Sequence, residues 1–267
     1  MRISLAQINA HRGTNSENFK IIEECVKNVA EKSDVILLPE LWNYDFSKEY
    51  KDLNQFNHKE LEGFLSEISR DNKINLVAGS CAYFKEGKLT NTALVYDREG
   101  KKLARYDKVH LYNMQGNSEG FTAGDEVVNF FLEGYRCGVI ICYDLSFCEW
   151  VKMYGLRDTH LLFIPSAWPE NHSNYWNTLL KARAMENQMY IAAVGSVGRS
   201  PHTHFGGQSQ LINSRGEHII EPFKGEKIKT AQIHLEDLKI EREGVETFSD
   251  RRPEIYDLKY TTKKSID

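Results

Sequence analysis

The sequence predicts an α/β protein, and three observations carry that prediction. Its opening reads strand–helix–strand–helix–strand, several short apolar runs of buried-strand type stop abruptly at polar residues, and strands alternate with helices in both halves. An opening of that order calls for parallel strands covered by helices. With no low-complexity linker between the halves, two sheets packed face to face inside one domain, residues 1–267, fit the pattern.

The first strand runs from about Ile3 to Ile8. Thr14-Asn-Ser-Glu17 has capping-box spacing, and Phe19, Ile22, Val26 and Val29 follow at helical intervals. Asp34-Val-Ile-Leu-Leu-Pro39-Glu40 is a second, buried strand that ends on an acid. Leu61, Phe64, Leu65 and Ile68 mark a second amphipathic helix, and Ile74 to Ala82 a third strand. Thr90–Asp97 and Lys102–Tyr106 pair around the turn Arg98-Glu-Gly-Lys101, and Lys108 follows directly. Residues 113–126 carry turn chemistry and read as an ordered loop holding Glu119.

In the second half, Val127–Phe131 and Tyr135–Cys142 are strands, and a helix from about Phe147 to Tyr154 stops at Gly155. His160-Leu-Leu-Phe-Ile-Pro165 repeats the buried pattern and opens into Ser166-Ala-Trp-Pro-Glu170. A long helix, Tyr175 to Gln188, precedes a strand from Met189 to Val197; His204–Asn213 and Ile228–His234 complete the set.

Composition narrows the classes of function. A charge of −4 with both signs interspersed gives neither a basic nucleic-acid stripe nor an acidic tail. No apolar run approaches the ~18 residues that span a bilayer, and the first residues form a strand, not a signal peptide. A cytoplasmic location is therefore expected. Five scattered cysteines without a CxxC pair support neither a disulfide framework nor a zinc ribbon, and the nine histidines form no metal motif.

Three predicted strand ends carry an acid, a cation and a thiol: Glu40, Lys108 and Cys142. Singly, each has an ordinary explanation, as a loop acid, a surface lysine and a core cysteine. Together they supply every role needed for acyl transfer from nitrogen. A thiol attacks as thiolate, its free pKa is near ~8.5, and so it needs a cation or an adjacent base. Lys108 offers the charge and Glu40 the base. The Lys108 ammonium and the backbone N–H of Tyr143 are suited to hold the tetrahedral oxyanion, and Glu40 to protonate the departing amine and then activate water.

Six segments in this order resemble the nitrilase superfamily of carbon–nitrogen hydrolases. They are Leu37-Leu-Pro-Glu40, Tyr106-Asp-Lys108-Val-His, Val139-Ile-Ile-Cys142-Tyr-Asp, Ala182-Arg-Ala-Met-Glu-Asn-Gln-Met-Tyr190, Phe205-Gly-Gly207 with Ser209, and Asp250-Arg-Arg-Pro-Glu254. The resemblance implies a four-layer αββα sandwich and a Glu–Lys–Cys triad with no metal or organic cofactor. It implies a second glutamate, matched by Glu119, that buttresses the triad. It also implies a homodimer or higher even-numbered oligomer, with residues from about 245 to 267 at the contact. Arg183 and Glu186 are expected to buttress the turn at Cys142. Tyr44 and Trp168, each just beyond a strand end, are candidate substrate contacts beside their plainer reading as core or rim aromatics.

Pro39-Glu-Leu-Trp-Asn43, Ile164-Pro-Ser-Ala-Trp-Pro169 and the Cys142-Tyr-Asp triplet are similar to the ω-amidase group, which cleaves the distal amide of 2-oxo acid amides. N-carbamoyl hydrolysis by the same triad is the alternative reaction, and a non-catalytic interaction module the alternative class. Two departures bear on the acyl group. Ser146 stands where that group commonly has Arg, and Gly195 where Asn is usual. Serine cannot reproduce the fork that pairs with a carboxylate, so a preference away from the usual dicarboxylic monoamides is expected.

Overall fold

Alternate residues of the inner strands enter two different cores, and this parity builds the layers. The computed structural model describes residues 1–9, 15–45, 52–112, 120–200, 203–242 and 247–256. In β1 (Arg2–Gln7) and β2 (Val35–Leu37), Ile3, Leu5, Val35 and Leu37 join one apolar cluster, while Ala6, Ile36 and the following Leu38 join another. In β3 (Asn75–Val77), Val77 belongs to the first cluster and Leu76 to the second. β4 (Cys81–Lys85) and β5 (Lys88–Tyr96) follow; in β5, Ala93 and Val95 face the first cluster, Leu94 and Tyr96 the second. A period of two with both faces buried is what a sheet sandwiched between layers requires. The second cluster is closed by α1 (Asn15–Val29), through Ile22 and Val26, and by α2 (His58–Asn72), through Leu61, Leu65 and Ile68.

β6 (Lys102–Asp107) pairs with β5, and the first sheet also contains β15 (Lys227–Gln232), in the order β15-β1-β2-β3-β5-β4. Its centre, β1-β2-β3, is parallel. The second sheet has β7 (Asn129–Leu132), β8 (Tyr135–Val139), β9 (Leu161–Ser166), β10 (Tyr190–Gly195), β13 (Ser209–Ile212) and β14 (His218–Phe223). They lie in the order β14-β13-β10-β9-β8-β7, with β8-β9-β10 parallel. α3 (Cys148–Gly155) and α4 (Ser173–Glu186) cover it through Val151, Tyr154, Trp176, Leu180 and Ala184. The predicted αββα sandwich of two mixed sheets is the observed fold. A small ribbon of β11 (Val197–Arg199) and β12 (His204–Gly206) and the short α5 (Leu238–Arg242) complete it. Among the described residues no helix is long and apolar enough to cross a membrane.

One buried side chain bolts the sheets together. Gln7, at the end of β1, donates from Nε2 to the carbonyls of Phe223 (3.0 Å) and Gly225 (2.7 Å). Its Oε1 accepts from the backbone N–H (2.9 Å) and hydroxyl (2.7 Å) of Ser209. All four partners lie in or beside β13 and β14 of the other sheet, so a fully buried amide is satisfied only in this docking.

The structure splits the single strand expected over Ile74 to Ala82. β3 stops at Val77 and β4 begins at Cys81, because Gly79 adopts φ +61 and lets the chain cross tightly beneath Pro39. A Cβ there would lie 2.0 Å from the Pro39 carbonyl oxygen. The strand expected over His204–Asn213 is likewise broken, at Gly207 and Gln208, both with positive φ. The capping-box residue Thr14 lies outside the described residues.

The Gly195 departure has a steric cause. It ends β10, and a Cβ on it would sit 2.0 Å from the Gly207 carbonyl oxygen. Overpacking against backbone typically costs about 1–3 kcal/mol or more. Gly195→Ala should lower the melting temperature by several degrees, at roughly 2–4 °C per kcal/mol. A melt unchanged in calorimetry would show that the Gly207 turn yields at no cost.

Candidate active site

Three strand ends meet at one cavity of about 280 Å3. Glu40 lies two residues beyond Leu38 in the turn after β2, Lys108 follows β6, and Cys142 opens a 3₁₀ turn, Cys142–Ser146, just past β8. The runs before Glu40 and Cys142 are buried on both faces, whereas β6, which presents Lys108, alternates buried and partly exposed residues; all three deliver a polar residue at the strand's end. Cys142 itself has φ +48, a left-handed conformation that is strained for a non-glycine residue and turns the nucleophile out of the strand direction. The structure brings Glu40, Lys108 and Cys142 together, all nearly inaccessible to solvent.

Glu40 is the hub. Its Oε1 accepts from Lys108 Nζ (2.6 Å) and from Asn91 Nδ2 (2.9 Å), both from the first sheet. Its Oε2 accepts from the backbone N–H of Ala167 (2.8 Å), at the end of β9 in the second sheet. The Cys142 thiol, beside this carboxylate, helps keep it ionised. Ser166, the last residue of β9, donates its hydroxyl to Cys142 Sγ at 3.2 Å. Asn91 further fixes Lys108, since its carbonyl accepts the Lys108 backbone N–H at 2.9 Å.

The charges settle accordingly. Burial pushes the Glu40 carboxyl up, but the Lys108 ammonium and the bonds to it outweigh burial and hold the group below its ordinary 4.5. Burial opposes the Lys108 charge, yet Glu40 more than compensates and raises it. Burial and then the Glu40 charge push the Cys142 thiol up to about 12, against the pull of Lys108, the Ser166 hydroxyl and the Ala167 N–H. At rest the site is a carboxylate, an ammonium and a neutral thiol.

A second network holds the nucleophile turn. The fully buried Asp144 accepts at Oδ2 from the Ile141 N–H (2.9 Å) and the Tyr106 hydroxyl (2.7 Å). At Oδ1 it accepts from the His110 backbone N–H (2.8 Å) and binds His110 Nδ1 (2.8 Å). The segment Tyr106–His110 that presents Lys108 is thus tied to the segment that presents Cys142. Arg183 of α4 donates to the carbonyls of Leu145 (3.2 Å) and Ser146 (3.4 Å) and pairs with Glu186 at 3.0 Å. This is a buttress for the turn, as the resemblance implied.

Tyr143, Trp168 and Ser146 line the cavity, with aromatic neighbours Tyr112, Phe121 and Phe205. Tyr44 packs its ring on Phe56 (5.6 Å) and Phe121 (5.4 Å), so it backs a wall residue and is not among the described lining. The Ser146 hydroxyl is buried with no partner among the described residues. Glu119 lies outside the described residues. Asn91, Ser166, Ala167 and Asp144 were not singled out from the sequence.

Comparison with known proteins agrees with this geometry. The carbon–nitrogen hydrolase family model matches residues 2–240. The chain belongs to that family. A 2-oxoglutaramate amidase of Bacillus subtilis is 32% identical, covering 95% of this chain and 98% of its own. An ω-amidase of Xenopus tropicalis is 28% identical over 96% of this chain and 97% of its own. Among solved structures, a mutant of the amidase from Nesterenkonia sp. AN1 is 25% identical with a TM-score of 0.79, over 90% of this chain and 97% of that one. In that structure acrylamide has added to the active-site cysteine. The carbon–nitrogen hydrolase assignment expected from the six segments therefore holds.

Asn91 is the neutral partner that shares Glu40 Oε1 with Lys108. A hydrogen bond to a charged group contributes about 1.5–3 kcal/mol, so Asn91→Ala should lower kcat roughly 10- to 100-fold with KM little changed. Steady-state kinetics on any turned-over amide checks this; a wild-type kcat would leave Asn91 as packing only.

Proposed function

We propose that this chain hydrolyses the C–N bond of a small linear amide through a thioester on Cys142, with Glu40 and Lys108 completing the triad. The observation that carries this is the single carboxylate of Glu40 bonded at once to Lys108 Nζ at 2.6 Å and to the Ala167 N–H at 2.8 Å, with Cys142 beside it at the wall of a substrate-sized cavity.

The substrate carbonyl carbon is placed against Cys142 Sγ. As the S–C bond forms, Glu40 takes the thiol proton and the carbonyl π pair moves to oxygen, where Lys108 Nζ and the Tyr143 N–H stabilise it. Negative charge now faces Lys108 from the substrate as well, and this loosens its hold on Glu40 and raises the affinity of that carboxyl for its proton. Glu40 then protonates the nitrogen, the C–N bond breaks and ammonia leaves. In the second half Glu40 removes a proton from water, which attacks the thioester; collapse expels Cys142, which recovers the proton. No cofactor enters any step.

The acyl group we propose is of the ω-amidase kind, a 2-oxo acid bearing a distal amide, supported by the names of the relatives at about 30% identity. Ser146 on the cavity wall is the residue at which this chain's preference among such acids is proposed to diverge. A homodimer formed through the C-terminal segment is part of the same reading; Ile255 and Tyr256 are exposed there at 61% and 49%.

Ammonia release from 2-oxoglutaramate, 2-oxosuccinamate, glutamine, asparagine and N-carbamoyl amino acids tests the proposal. Turnover of one amide, abolished in Cys142→Ala, is the expected result. Release from carbamoyl substrates alone would overturn the ω-amidase reading, and a clear maximum on 2-oxoglutaramate would remove the expectation drawn from Ser146.

The pH profile follows from the charges. Glu40 must be ionised to accept the proton, and its carboxyl is held below 4.5, so activity should be lost only as pH falls below that value. Lys108→Met removes the cation while burial remains, so the acidic limb of kcat/KM should move upward. The rate should drop about 10²–10³-fold, the usual cost of one oxyanion donor. An unmoved limb would mean that Lys108 does not control Glu40.

A further inference from the structure

We propose that Ser166 is a further catalytic side chain, whose hydroxyl stabilises the charge that develops on the Cys142 sulfur in both half-reactions. The proposal rests on Cys142 being the nucleophile. Ser166 is the last residue of β9, is fully buried, and places its Oγ 3.2 Å from Cys142 Sγ. Its position is fixed from the β10 side. Its carbonyl accepts the Ser196 N–H at 2.8 Å and the Ser196 hydroxyl at 3.2 Å, and β9 is in parallel register with β10, Ser166 beside Gly195. The next residue, Ala167, donates its N–H to Glu40 Oε2 at 2.8 Å. One strand end therefore aims two adjacent donors, one at the sulfur and one at the base that deprotonates it.

The Ser166 Oγ–H donates to Cys142 Sγ at 3.2 Å, while the Glu40 carboxylate, which can only accept, is the group toward which the thiol proton moves in the proposed mechanism. While the thiol is neutral this bond is weak. As the proton passes to Glu40 and the S–C bond forms, the sulfur carries transient negative charge and the bond becomes charge-assisted. It fades again in the thioester and returns when the sulfur is expelled from the second tetrahedral intermediate. An interaction stronger in the transition states than in the states they connect accelerates both steps. The hydroxyl keeps its own proton throughout, so no new acid or base is added to the reaction.

The test is the second-order rate of Cys142 alkylation by iodoacetamide across about pH 5–10, with the labelled peptide identified by mass, in wild type, Ser166→Ala and Ser196→Ala. Ser166→Ala should slow alkylation about 10- to 100-fold at neutral pH and move the thiol titration upward, the size of one hydrogen bond to a charged group. It should lower kcat similarly on the amide that wild type turns over, with KM near wild type and an unchanged thermal melt. Ser196→Ala, which removes a support of the Ser166 carbonyl but nothing that touches sulfur, should keep the wild-type profile. Ser166→Ala within about twofold of wild type, or an equal loss in Ser196→Ala, would overturn the role. Wild type unlabelled at Cys142 would instead sink the nucleophile reading beneath it.

Discussion

The buried ion pair between Glu40 and Lys108 is the interaction on which the rest of the site depends. Two charges this far from water are tolerated only when each is paired and its remaining hydrogen-bonding capacity is used; one partner alone would leave a buried charge costing about 3–5 kcal/mol. Here the division of labour is spatial. Glu40 Oε1 meets Lys108 and Asn91, which come from the first sheet, and Oε2 meets the Ala167 N–H, which comes from the second. The carboxylate sits on the seam of the sandwich, so the packing of the two sheets and the geometry of the triad are a single constraint. Gln7 fastens the same seam elsewhere, reaching from β1 to partners that all lie in the other sheet.

Asp144 adds a second constraint of the same kind. Its four bonds to Ile141, Tyr106 and both the backbone and ring of His110 join the two chain segments that carry Cys142 and Lys108. A fully buried polar network of this sort has one low-energy arrangement, and any slip of β6 against β8 would leave an orphaned carboxylate. Trp150, donating to the Tyr106 hydroxyl at 3.1 Å, extends the network into α3, and Arg183 caps the turn from α4. The strained φ of Cys142 is held by these partners on either side of it.

What the sequence disclosed, and what it did not, follows from the same physics. Runs such as Val35–Leu38 and Leu161–Ile164 are unbroken apolar stretches because both faces are buried, so the strands and their polar ends are legible from composition alone. The triad was legible because each member stands just past a strand, although the strand before Lys108 is not an unbroken apolar run. Asn91 was not: it lies inside a strand, between Thr90 and Thr92, and a polar triplet there looks like a solvated face when all three are in fact buried. Ser166 and Asp144 were hidden by their neighbours, since a serine after proline or an aspartate after a nucleophile reads as turn chemistry. The Gly79–Ser80 pair was a visible signal for the break between β3 and β4; an apolar average over Ile74–Ala82 concealed it. Tyr44 illustrates the limit of the strand-end rule, because following a strand end places a residue near the cavity without placing it in the wall.

The neutral thiol at rest is the feature that gives the triad its economy. A preformed thiolate would need a cation free to stabilise it, but Lys108 is committed to Glu40; that commitment keeps Glu40 a weak base, while burial and then the Glu40 charge keep Cys142 a weak acid. In the proposed mechanism neither group reacts until a carbonyl oxygen begins to take on charge beside Lys108, and the substrate supplies the perturbation that the resting site withholds: as charge builds on the oxyanion, the ammonium is shared, the carboxylate gains basicity, and the sulfur gives up its proton only as its bond to carbon forms. Base strength is borrowed from the reaction itself. It also follows that donors aimed at sulfur contribute during the two transition states and contribute little between them.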